Sequence, residues 1–85
     1  VNPYKIESLV PNPTSSNVTV NYLASGSVSA YLMIVNTNTG SSDNHILDPT
    51  ANFISIDASS FATGLYNVIL ICDGEVQNSE TLVKQ

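Results

Sequence analysis

Any chemistry in this chain has to start from very few side chains. One histidine, His45, and one cysteine, Cys72, stand among twelve serines and seven carboxylates, with neither arginine nor tryptophan present. A Ser-His-Asp relay would recruit His45 with Asp43 or Asp48, but the chain has no nucleophile-elbow motif to expose a serine, and His45 falls in a loop or at a strand edge. A Cys-His pair would have to pull Cys72 out of the run YNVILIC, where it alternates in phase with Tyr66, Val68 and Leu70. In that setting it reads as a small buried hydrophobe. Asp43, Asn44, His45 and Asp48 offer oxygen and nitrogen ligands within six residues, yet they have neither zinc-ligand spacing nor the pattern of a calcium loop. Glu7, Asp48, Asp57, Asp73, Glu75 and Glu80 are scattered over turns, so no pair of them is placed for glycosidic cleavage. The residues assign no catalytic group, no cofactor and no metal ligand.

Composition narrows the partners. The formal net charge is -5, with Lys5 and Lys84 the only cations. Nucleic acid and anionic membrane surfaces both draw on clustered Lys and Arg, so neither fits. The longest apolar run, VILIC, is far below the ~20 residues of a membrane-spanning helix. The opening residues lack the pattern of a signal peptide, so an export signal would lie upstream. A lone cysteine excludes an intrachain disulfide. Asn17-Val18-Thr19 satisfies the N-glycosylation sequon, a match that chance often supplies in a chain where Ser, Thr and Asn fill 29 of 85 positions.

The elements that must position these residues are strands. Val, Ile, Thr and Tyr are abundant, the apolar runs are short, and no amphipathic helix is evident. Tyr4–Leu9 reads as a weak edge strand with Tyr4, Ile6 and Ser8 on one side and Lys5, Glu7 and Leu9 on the other. In LVPNPTSSN the prolines hold Val10 and Asn12 extended, and Thr14, Ser15, Ser16 and Asn17 favour a turn. Val18, Val20 and Tyr22 then alternate with Thr19 and Asn21, the period of a half-buried strand. Val28–Val35 is apolar on both faces and reads as a central strand. Asn36–Asn44 reads as a hairpin connection or loop, His45–Leu47 as a brief edge strand, and Asn52–Asp57 as a strand facing Ile54 and Ile56 inward. Leu65–Cys72 is the most hydrophobic run, Asp73–Glu75 a tight turn that accepts positive φ, and Val76–Lys84 a final strand. Six or seven short strands at this spacing predict one all-β domain, an antiparallel immunoglobulin-like β-sandwich. In such sandwiches a tyrosine near the start of a late strand often bonds back to upstream backbone; Tyr66 is placed either for that role or as a plain core aromatic.

Three stretches in this order, PNPT, GLYNVILICDGE and TLVKQ, resemble the C-terminal sorting domain of the type IX (Por) secretion system of certain Gram-negative bacteria. The residues carrying the resemblance are Pro11, Asn12, Pro13 and Thr14, then Phe61, Gly64 and Tyr66, then Asp73 and Gly74, then Leu82, Val83, Lys84 and Gln85. It covers residues 9–85 and makes 1–8 a linker or an added edge strand. The resemblance implies a non-enzymatic secretion signal. A cargo domain upstream in the same polypeptide would reach the periplasm by its own N-terminal signal, and the folded sandwich would be recognised by outer-membrane machinery. A sortase-like protease would usually then remove it, leaving the cargo at the cell surface or outside the cell. On that reading Pro11, Asn12, Pro13, Gly64, Tyr66, Gly74, Leu82, Val83 and Lys84 form the sorting motif. The final strand would offer an edge for strand addition by a partner, so deleting Thr81–Gln85 should abolish export while the core stays folded. The alternative is a retained fibronectin-like or carbohydrate-binding module of a secreted enzyme or adhesin. A small enzyme centred on His45 would instead show an open pocket around that residue.

Overall fold

The alternating runs become seven strands in a computed structural model that describes residues 4–10, 12 and 14–85. They are β1 Lys5–Val10, β2 Asn17–Leu23, β3 Ala30–Asn36, β4 Ser42–Leu47, β5 Phe53–Asp57, β6 Gly64–Cys72 and β7 Glu75–Lys84. Two antiparallel sheets result, one ordered β1-β2-β5 and the other β4-β3-β6-β7, and no helix is present among the described residues. This is the expected all-β, immunoglobulin-like sandwich.

Register follows from the apolar period. Val18 sits opposite Ile56 and Val20 opposite Ile54 in the smaller sheet. In the larger one Leu32 faces Leu70 and Ile34 faces Val68. A slip of one residue would turn each of these sets to solvent, so burial fixes the pairing. Val20, Leu32, Val68, Leu70 and Leu82 are completely excluded from water. β3 lies between β4 and β6, the central place expected of it, but it starts at Ala30 and leaves Val28 exposed outside the strand.

Two local expectations need amendment. β1 does not alternate strictly: its register slips between Ile6, opposite Tyr22, and Ser8, opposite Asn21. Glu7 is the extra residue of this bulge, which reverses the side-chain phase, so both Ile6 and Leu9 pack on the core. The polar Asn36–Asn44 segment is also less of a loop than its composition suggests. Asn36 Oδ1 accepts the Asn38 amide at 2.8 Å, and Gly40, at φ 77°, donates its N–H to the Asn36 carbonyl at 2.8 Å. The chain turns back early and β4 starts at Ser42, opposite Val35. Its SDN opening is polar because residues 42–44 are exposed at a sheet edge.

Candidate functional site

Most of the motif residues meet at one end of the larger sheet. Gly64 lies opposite Lys84, Leu65 opposite Val83 and Tyr66 opposite Leu82, so GLY and LVK are two sides of one ladder. Tyr66 and Leu82 point inward and are buried. The Tyr66 hydroxyl donates to the Ala62 carbonyl at 2.7 Å, and its ring lies 5.1 Å from that of Phe61. Tyr66 is thus both a core aromatic and the tie across the corner that leads into β6. Gly64 has φ 147°, outside the range of ordinary L-residues, and a Cβ there would meet only Asn38 Nδ2 at an ordinary 3.7 Å, so conformation and not crowding demands glycine.

The outer edge of β7 is where the PNPT segment enters. The Thr14 amide donates to the Val83 carbonyl at 2.9 Å, and the Gln85 amide donates to the Thr14 carbonyl at 2.8 Å, a parallel bridge between Thr14 and Lys84. Asn12 continues this contact with its side chain: Nδ2 donates to the Thr81 carbonyl at 2.9 Å and Oδ1 accepts the Val83 amide at 2.9 Å. A proline has no N–H to give, so between two prolines the carboxamide supplies the donor and acceptor that a peptide group would otherwise offer. Pro11 and Pro13 themselves lie outside the described residues. Thr14 is 1% exposed, and its Oγ1 donates to the Asn17 carbonyl at 2.8 Å, turning the chain into β2. Farther along the seam, the Ile6 amide donates to Asn78 Oδ1 at 2.9 Å. Five hydrogen bonds thereby clasp segment 6–14 to segment 78–85.

The clasp alters two expectations. The edge of β7 at Thr81–Gln85 is not open for strand addition, because Asn12 and Thr14 already occupy it. The upstream part of β7 carries a bulge between Asn78 and Val76, a feature that blunts an edge. Deleting Thr81–Gln85 would also remove Leu82 from the core and Thr14's partners, so that truncation should unfold the domain as well as remove the motif. Lys84 is 7% exposed and lies on the inward side of β7, with Nζ donating to the Gln85 carbonyl at 3.1 Å. Gly74 stands apart from this group. At φ 80°, after Asp73 at 53°, it forms the tight β6–β7 turn at the far end of the hairpin, as the DGE sequence predicts. The Asp73 carboxylate accepts the amides of Val28 and Ser29 at 2.8 and 3.0 Å and so ties the approach to β3 to this turn.

The remaining chemistry-bearing residues are dispersed. His45 sits on β4 opposite Leu32, with Nε2 buried and lacking a hydrogen-bond partner, and no pocket opens around it among the described residues. The Asp48 carboxylate is held below its usual range by hydrogen bonds from the hydroxyl and amide of Thr50, and Asp57 by those of Ser59. Burial pushes the Cys72 thiol up, consistent with its place in the core.

Asn12 and Thr14, GLY and LVK are thus joined by contacts as well as by their order, with DG closing the far end of the hairpin. Residues 8–85 match a family described as the secretion system C-terminal sorting domain. The chain belongs to that family. No curated protein matches it. Sorting domains of this kind mark cargo for the type IX secretion system and export across the outer membrane, and the family is one of signals, not enzymes. No helix among the described residues is long and apolar enough to cross a membrane. Sequence reasoning placed Asn12 in the motif without a role, and missed Asn78 as a second link of the sorting domain's seam. The position of an amide-bearing side chain between two residues with no N–H was the available signal for the first; nothing local marks the second.

Proposed function

We propose that this sorting domain acts as a folded secretion signal: it follows a cargo domain through the periplasm, is recognised by the type IX machinery at the outer membrane, and is then removed by a sortase-like protease. Delivery of the cargo would be to the cell surface or the medium. We assign the signal to residues 9–85, with Val1–Ser8 a linker or added edge strand; the pairing of β1 with β2 and the burial of Ile6 favour the added strand. Pro11, Asn12, Pro13, Gly64, Tyr66, Gly74, Leu82, Val83 and Lys84 serve in this reading as the residues that set the signal's shape. The observation that carries it is the family match over 8–85, supported by the clasp that joins the opening and closing motifs.

The test is to fuse Val1–Gln85 to the C-terminus of a periplasm-targeted fluorescent protein in a host with a working type IX system. Delivery outside the cell of a reporter shortened by about the mass of the domain supports the full reading. A full-length reporter kept in the periplasm, with the domain folded, would refute it and point to a retained binding module.

A further inference from the structure

The end of the larger sheet away from Asn12 and Thr14 carries a second feature. Val28, Ile46 and Val76 are the three most exposed large apolar residues described, at 91%, 88% and 67%. They are far apart in sequence, yet the strand register puts Ile46 and Val76 in one row. Ile46 lies opposite Tyr31, Tyr31 opposite Ile71, and Ile71 opposite Val76, one apolar row across all four strands of the outer face. Ile71, 4% exposed, forms its floor. Val28 is fixed beside the row's end by its amide bond to Asp73. Single exposed hydrophobes are ordinary, whereas a contiguous row ringed by polar groups marks an interaction surface. The ring here is acidic, since Asp48 and Asp73 are exposed at this same end.

We infer that this row docks a partner protein surface with an apolar centre and a basic rim, on the translocation machinery that reads the domain; the inference rests on the sorting role proposed above. Charge selects that occupant. A second copy would bring the same two carboxylates face to face, with Lys5 on the other sheet and Lys84 at the clasp, unable to compensate. An anionic lipid surface would be repelled for the same reason. The row and the Asn12 and Thr14 contacts of the clasp stand at opposite ends of β6, about 25 Å apart at a strand's ~3.3 Å per residue. Substitutions can therefore separate docking from folding.

The experiment uses the whole chain on the reporter fusion in the type IX host. A photo-crosslinking phenylalanine analogue in place of Ile46 should link the fusion to an outer-membrane component of that system. The same analogue in place of Phe53, 58% exposed on the other sheet, should not. I46S/V76S should cut delivery about tenfold, the scale of losing an interface anchor, with thermal unfolding of the purified chain unchanged. Equal crosslinking from both positions, a link from position 46 to a second copy, or full delivery of I46S/V76S overturns the proposal. Full delivery after removal of residues 1–85 would overturn the sorting role itself, and the docking proposal with it.

Discussion

Asn12→Ala should destabilise the domain although Asn12 is exposed. The substitution removes a donor from the Thr81 carbonyl and an acceptor from the Val83 amide, both at 2.9 Å. Each neutral hydrogen bond contributes about 1 kcal/mol net, and water replaces part of that at an exposed site, so the loss should be about 1–2 kcal/mol. For a domain of this size each kcal/mol moves the melting temperature by roughly 4–8 °C, so Tm should fall by about 5–10 °C. Asn12→Asp sharpens the test, because it keeps the acceptor for Val83 but sets an oxygen against the Thr81 carbonyl. At neutral pH it should therefore destabilise at least as much as alanine. The assay is thermal unfolding by circular dichroism with urea titration alongside. A Tm within about 1 °C of the parent for Asn12→Ala, or an Asn12→Asp variant as stable as the parent, would refute the clasp as a source of stability.

Tyr66→Phe keeps the ring but removes the bond to Ala62, and should cost about 1 kcal/mol in urea titration. Gly64→Ala should cost about 1 kcal/mol or more, because φ 147° is strained for any residue with a Cβ; an unchanged midpoint would mean the corner relaxes freely. Asp48 and Asp57 have carboxyls lowered from 3.8 by their Thr50 and Ser59 bonds, so their stabilisation is present above that value and lost as pH falls through the folded-state value. D48N/D57N should accordingly flatten the acid limb of a stability–pH curve, and an identical acid limb would count against it. Cys72, buried with its thiol pushed up by desolvation, should react with iodoacetamide only at the rate of unfolding; rapid labelling of the native chain would contradict its core position.

Reading the fold from the sequence succeeded where one face of a strand is buried and failed where backbone geometry decides. Val18, Val20 and Tyr22 announce β2 because core burial imposes period two on them. The bulge at Glu7 is invisible in the same terms, since the added residue breaks the very period by which strands are recognised. Asp73-Gly74 was legible because positive φ is a local demand that few residues meet. His45 was legible as an edge residue, but its unpartnered Nε2 depends on how β4 lies against β3, which no stretch of sequence encodes.

The clasp explains why order, more than any one motif, carried the resemblance. PNPT and TLVKQ are separated by nearly the whole chain, yet each supplies what the other lacks: β7 has an unpaired edge, and Asn12 and Thr14 offer the groups to pair with it. GLY completes the set by binding the opposite edge of the same strand. The shape built this way is present only when the domain is folded, because no one of its segments holds it alone. A partner that recognises the folded sandwich therefore tests the integrity of both ends at once. A peptide of residues 75–85, which lacks β6 and the PNPT segment, should then fail to compete with the intact domain for export.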